Sequence, residues 1–245
     1  MISIIIPTLN EEEGIAKVLC SIPEEIKKDA EIIVVDVSTD MTPIIAEKLG
    51  AKVIRAKEKG KGKQMRLAVK ESKGDILVFL DGDGTDPAQY IPQLLKELEN
   101  ANLVLGCRSM KEFPEDDRKM RRIFKMYGFF MIQLFKLIGF NVNGDPLAGF
   151  RAIRREDWDK LNLESDDFKI ETEMNIKAIK QGFKIKEIPI PHLKRCGGGL
   201  RASKLAFNPQ QYLEIAKLFL KYFGDEKIKA KIENLTKKFL EKFKI

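Results

Sequence analysis

The stretch Ile76-Leu77-Val78-Phe79-Leu80-Asp81-Gly82-Asp83-Gly84 decides how the rest of the chain is read. Five apolar residues in a row suit a strand buried on both faces, and the run opens directly into two carboxylates one residue apart. Such a strand delivers the residues at its C-terminal end to the carboxyl edge of a parallel sheet, where open α/β folds take their ligands. Two hard oxygen donors at that spacing suit a divalent cation that also needs phosphate oxygens. They suit an ordinary Asp-Gly turn as well, so the surrounding sequence has to separate the two.

That sequence supplies the rest of a sheet. Residues 2–7, 32–36, 52–55 and 103–106 read as further strands, alternating with helical patterns over about 11–21, 43–49, 61–72 and 87–100. Apolar strands joined by helices predict an α/β fold with a mainly parallel central sheet flanked by helices. Asn10 is expected to cap the first helix, with Glu13 at the reciprocal capping-box position. Beyond Gly106 the pattern changes to a charged loop over 107–118, a helix over 119–139, a turn over 144–149 and a short strand over 150–153. A helix over 170–181 ends at Gly182, and a strand over 184–188 is expected to stop at Pro189. Two basic amphipathic helices close the chain, near 209–223 and 226–243.

With 245 residues and 44% apolar content, the chain has material for one large α/β domain, or for one domain with an appendage. Its 44 basic and 37 acidic residues leave +7, and the surplus is uneven. From Lys184 onward there are 15 basic and 6 acidic residues, a pattern that suits an anionic partner. Three cysteines (Cys20, Cys107, Cys196) without a CxxC pair or a histidine cluster argue against a zinc site or a disulfide framework and fit a reducing cytosol. The lone His192 reads as structural. No signal peptide is expected, since the sequence enters a strand at once. No apolar run approaches the roughly 20 residues of a membrane span; the nearest, 127–140, is broken by Gln133 and Lys136.

Three segments in order, each at a strand end, carry a resemblance: Ser3-Ile4-Ile5-Ile6-Pro7-Thr8-Leu9-Asn10-Glu11, then Val34-Val35-Asp36 with Ser38-Thr39-Asp40, then Asp81-Gly82-Asp83. Together they resemble the family 2 glycosyltransferases of the GT-A fold. Gly106-Cys107-Arg108, Gly149-Phe150-Arg151-Ala152-Ile153-Arg154-Arg155, Glu171-Thr172-Glu173-Met174, Lys186-Glu187-Ile188-Pro189-Ile190 and Ser203-Lys204-Leu205 look like its dolichyl-phosphate mannose and glucose synthase branch. The resemblance covers roughly residues 1–207. It implies a catalytic domain there, with a nucleotide-binding half over about 1–106 and an acceptor half over about 107–207, then C-terminal amphipathic helices over 208–245. One departure stands out. The family usually reads Asp-Asp-Gly-Ser-Thr-Asp after its second strand, and Asp36-Val37-Ser38-Thr39-Asp40 is one residue shorter, so the base it reads stays open.

The resemblance implies an inverting transfer of a hexose or N-acetylhexosamine from a UDP- or GDP-sugar to a polyprenyl (dolichyl) phosphate, giving a lipid-phosphate-sugar for glycan assembly. Asp81 and Asp83 are then the metal site for Mg²⁺ or Mn²⁺, with Gly82 between them and Thr85 near. Pro7, Thr8, Asn10, Glu11, Asp36 and Lys63 join them around the nucleotide sugar, although capping explains Asn10 and a solvated basic turn explains Lys63 equally well. Arg108, Arg121, Arg122, Arg195 and Lys204 are expected at the acceptor phosphate, whose oxygens a guanidinium fork suits. Asp83, Glu173 and Arg108 carry the catalytic expectation, with Glu173 facing sugar or acceptor.

A phosphate acceptor is already anionic near neutral pH and needs no general base, in keeping with the lack of a catalytic histidine. The expected partners are the donor, the lipid phosphate and a membrane surface at the cytoplasmic face. Peripheral contact would run through the basic helices, with a homodimer allowed and no nucleic acid. The competing readings are a family 2 transferase acting on a sugar hydroxyl or soluble acceptor, and a non-enzymatic basic membrane adaptor. The adaptor leaves Asp81 and Asp83 unexplained. A sugar-nucleotide pyrophosphorylase would show a glycine-rich signature after the first strand, which Pro7-Thr8-Leu9-Asn10 lacks.

Overall fold

Among the described residues seven strands form: β1 (Ile2–Thr8), β2 (Ala30–Asp36), β3 (Lys52–Arg55), β4 (Ile76–Phe79), β5 (Leu103–Arg108), β6 (Arg151–Arg154) and β7 (Ile185–Ile190). A computed structural model, which describes residues 1–108, 118–141, 144–191, 193–197 and 209–242, joins them into one sheet in the order β3-β2-β1-β4-β6-β5-β7. The pairs β1/β2, β1/β4, β2/β3 and β5/β7 are parallel, and β6 alone runs against its neighbours β4 and β5. The expectation of a mainly parallel α/β sheet therefore holds.

Strand side chains alternate between two helical layers, because successive residues point to opposite faces. Ile4, Ile6, Val34 and Val78 bury against α1 (Ile15–Ser21) and α5 (Ile91–Leu98), with Ile15 and Leu94 fully enclosed. Ile5, Ile33 and Leu77 face α4 (Lys61–Glu71), α7 (Arg155–Leu161) and α8 (Lys169–Lys180). There Phe79 stacks on Trp158 with ring centroids 5.0 Å apart. Two short helices, α7 and α2 (Glu24–Asp29), escape sequence reading because six or seven residues carry too little periodicity.

Two local expectations are corrected. The first helix starts at Ile15, and its N-cap is Gly14 without a side-chain cap, so Asn10 and Glu13 form no capping box. Asn10 instead adopts φ +55°, accepts from the Thr39 amide through Oδ1 (2.8 Å) and donates its own N–H to Ser38 Oγ (2.6 Å). It ties the loop after β1 to the loop after β2. The last strand does not stop at Pro189 but continues to Ile190. β7 is a sheet edge, where a residue without an N–H is tolerated.

A third core lies beyond the sheet. Phe130 and Phe135 of α6 (Arg118–Leu137) meet Ile176 of α8, Tyr212 and Phe219 of the helix Pro209–Tyr222, and Phe239 of the helix Glu226–Lys242. Phe135 and Phe219 pack edge to face at 5.0 Å, as do Phe130 and Tyr212. The apolar stripes of these amphipathic helices therefore pack largely on one another, while Phe129 and Leu213 stay exposed. No described helix is long and apolar enough to cross a membrane.

Candidate active site

Because β1, β2, β4 and β5 run the same way, Thr8, Asp36, Asp81 and Arg108 emerge on one edge of the sheet. The antiparallel β6 brings the turn before it back to that edge. A side chain at Gly149 would place Cβ 2.5 Å from Asp81 Oδ2, so this turn packs against Asp81 only as glycine.

Asp83 is nearly buried and holds the turn that comes after it. Its Oδ1 accepts from the Thr85 amide (3.0 Å) and hydroxyl (2.6 Å), so Thr85 supports this carboxylate directly. Its Oδ2 accepts from Arg195 Nη1 at 2.7 Å. The other arm of that guanidinium reaches Glu11 Oε1 at 2.5 Å, and the Cys196 amide donates to the Asp83 carbonyl at 2.9 Å. The basic segment after β7 is thus seated on the acidic motif. Burial pushes the Glu11 carboxyl up, Arg195 draws it back, and the nearby Asp83 and Asp81 charges raise it again, to about 7 against an ordinary 4.5.

Asp81 lies beside a lysine that the sequence pattern does not single out. Lys61 Nζ, at the first position of α4, is 2.5 Å from Asp81 Oδ1 and also pairs with Glu171. Burial favours a neutral Lys61, but the two carboxylates outweigh it and hold the ammonium above its ordinary range. Burial would likewise raise Asp81; the Lys61 charge overrides it and holds Asp81 low. Glu171 stays raised because burial dominates there. Asp86 also belongs to this cluster, accepting from the Asp81 amide at 2.9 Å, with burial and the Asp81 charge lifting it to about 7. Arg108 pairs with Asp145 at 2.8 Å.

Several expected residues lie elsewhere. Lys63 turns outward to Glu58 and Asp166, so Lys61 is the lysine that reaches the acids. Pro7 and Gly82 stand at the edge as expected. Asp36 is fully buried, accepting from Thr8 Oγ1 (2.7 Å), from Ser38 N and Oγ (3.0 and 2.5 Å) and from Arg55. Arg121 and Arg122 belong to α6, but their side chains lie outside the described residues, as do all of Lys204 and His192 and most of the charged loop over 107–118.

Glu173 is the largest correction. Its carboxylate points away from Asp81 and Asp83. It accepts from the Ser165 amide (2.7 Å), the Glu164 amide (3.1 Å) and the Tyr222 hydroxyl (3.2 Å), and pairs with Lys177 at 2.8 Å. Burial pushes this carboxyl up, yet Lys177 and the two amides outweigh burial and hold it low. A carboxyl lowered in the folded state stabilises above its unfolded value and loses that contribution as pH falls. Glu173→Gln is expected to destabilise by about 1–3 kcal/mol at pH 7. It should also flatten the loss of stability below about pH 4.5, with kcat changed less than about threefold. Urea unfolding across pH, beside turnover, checks this; a collapse of kcat with stability intact would return Glu173 to the chemistry.

Residues 3–161 match the family described as Glycosyl transferase family 2. A dolichyl-phosphate hexose transferase of Haloferax volcanii is 31% identical over 196 residues, which is 80% of this chain and 84% of that protein. A dolichol-phosphate mannosyltransferase of Pyrococcus furiosus is also 31% identical, over 77% of this chain and 55% of its own length. Among solved structures, the glucosyl-3-phosphoglycerate synthase of Mycobacterium tuberculosis with Mn²⁺, UDP and glucosyl-3-phosphoglycerate superposes with a TM-score of 0.71 at 25% identity. The match covers 92% of this chain and 81% of that one.

Proposed function

Since the chain belongs to glycosyl transferase family 2, we propose that it transfers a sugar from a UDP- or GDP-sugar to a polyprenyl phosphate such as dolichyl phosphate, with inversion. The observation that carries this reading is the edge cluster: Asp81 and Asp83 beside Lys61, Arg195 and Arg108, an arrangement of paired acids and cations suited to a diphosphate leaving group and a phosphate acceptor. The names of the two archaeal relatives supply the acceptor class.

The donor set fits a hard divalent ion. Asp81 and Asp83 offer carboxylate oxygens one residue apart, and no group of three His, Cys, Asp or Glu ligands stands ready among the described residues. The missing oxygens would come from the donor's diphosphate, as Mg²⁺ and Mn²⁺ prefer. When bound, such an ion would neutralise the charge growing on the departing nucleoside diphosphate.

The chain's own residues do the rest. Asp83 is pre-positioned by Thr85, so its oxygens need little reorganisation. Lys61 adds a fixed positive charge next to Asp81. Arg195 lies over Glu11 and Asp83, where the segment it belongs to can cover the donor and exclude water. Arg108 is held by Asp145 at the end of β5, in position to orient an acceptor phosphate. The acceptor oxygen is already ionised near pH 7, so it attacks the anomeric carbon without a base as the bond to the diphosphate breaks. Glu171, not Glu173, is the carboxylate beside Asp81 and Lys61, and we assign to it the contact with sugar hydroxyls.

The test is direct. Labelled UDP- and GDP-sugars are incubated with Mg²⁺ or Mn²⁺ and dolichyl phosphate, and label is tracked into the organic phase. Label in the lipid fraction from at least one donor is the expected result. Transfer only to a soluble sugar hydroxyl would replace the lipid-phosphate reading, and folded protein with no transfer to any acceptor would sink it.

A further inference from the structure

We infer that Phe168 is the platform of a hexose subsite, its ring stacking on the apolar face of the donor sugar while Lys61 and Glu171 hydrogen-bond the hydroxyls at its rim. The inference rests on the nucleotide-sugar reading above and names what that reading leaves out, the residue that senses the sugar itself.

Among the described residues Phe79, Phe130, Phe135, Phe150 and Phe219 are at most 2% exposed, whereas Phe129 of α6 is 54% exposed. Phe168, immediately before α8, is 53% exposed. A single exposed ring needs no explanation by itself, but this one stands against the charge cluster. Lys61 Nζ lies 5.6 Å from its centroid, and the same ammonium binds Asp81 and Glu171. An ammonium has three N–H donors, so these two acids leave one for a further acceptor. The ring is therefore one side chain away from the acid motif assigned to the diphosphate.

The position is also fixed. Gly60 and Gly62 lie so close to the 165–166 backbone that a Cβ at Gly62 would fall 2.0 Å from the Ser165 carbonyl oxygen. The Lys63 amide donates to the Asp166 carbonyl at 3.1 Å, and Arg66 reaches Ser165 and Asp166. Lys61 and Phe168 thus sit on two segments clamped together, and their spacing is set before any ligand arrives. A pyranose presents C–H bonds on one face and hydroxyls around its rim. An aromatic face attracts the former, and a buried carboxylate with an ammonium pairs with the latter.

Calorimetry on the full chain with Mn²⁺ separates the possibilities, using UDP-glucose and GDP-mannose against UDP and GDP. Phe168→Leu keeps an apolar side chain but loses the aromatic face, and Phe168→Tyr retains it. For the nucleotide sugar that binds, Phe168→Leu is expected to weaken affinity about fivefold, with the matching nucleoside diphosphate within about twofold and Phe168→Tyr near wild type. Equal weakening of sugar nucleotide and nucleoside diphosphate, or no weakening of either, overturns the platform and leaves the nucleotide-sugar reading standing. Failure of wild-type protein to bind any of the four probes overturns both.

Discussion

Asp83→Ala is expected to lower kcat/KM for sugar transfer by at least about a thousandfold, the scale of losing a pre-positioned electrostatic contact to the transition state. The geometry explains why Asp83 matters more than a neighbouring acid. One oxygen is committed to the Thr85 amide and hydroxyl, which fixes the carboxylate, while the other faces Arg195 and is free to exchange that partner. Alanine would also release the turn at Thr85 and cost about 1 kcal/mol of stability, so the loss of activity alone would be ambiguous. Asp83→Asn resolves it. The amide oxygen can still accept from Thr85, but the charge is gone. Both variants should lose transfer to the same extent and both lose the Arg195 pair, but alanine, which also frees Thr85, should shift the urea midpoint further. An asparagine variant with a tenth or more of wild-type turnover would show that Asp83 works by shaping the turn, and the charge-based role would be lost.

How much of this could be read from the sequence depends on what kind of information each residue carries. Asp36, Asp81 and Arg108 were legible because long apolar runs end in them, and a parallel sheet sends every such end to one edge. Lys61 and Lys63 were not separable, since alternating glycine and lysine before a helix says nothing about which side chain turns inward. Glu171 and Glu173 posed the same problem. Two residues apart on a helix they project about 200° from each other, so one had to face the edge cluster and the other had to face away. Nothing local decides which; the choice is made by Lys61 on one side and by the Glu164 and Ser165 amides on the other. The closing helices teach a related lesson. Their periodicity announces an apolar stripe, but only the packing of α6, α8 and both helices around Phe130, Tyr212 and Phe239 shows what covers it. Asn10 is no cap because the helix starts at Ile15, and its role was hidden because its partner, Thr39, is far away in sequence.

Lys61→Met should be the most damaging substitution for the folded state. Lys61 is buried between Asp81 and Glu171, and methionine fills similar space without charge. Removing one partner of a buried ion pair leaves uncompensated charge and costs about 3–5 kcal/mol. Here two carboxylates are left facing each other. In the intact chain burial already holds Glu171 above its ordinary range, with Lys61 opposing that rise. Without the ammonium it must rise further. A carboxyl raised in the folded state keeps its proton longer than in the unfolded chain, so its effect favours folding below the unfolded value of about 4.5 and turns unfavourable as pH climbs through the folded value. The variant is therefore expected to approach wild-type stability near pH 4 and to fall progressively behind it toward pH 8. The double variant Lys61→Met/Glu171→Gln should recover part of the deficit at pH 8 by removing one of the stranded charges. Chemical unfolding at several pH values measures all three proteins. A deficit independent of pH, or a double variant no better than the single one, would mean that Lys61 supports the fold by packing and that the charge balance around Asp81 is not what holds this edge together.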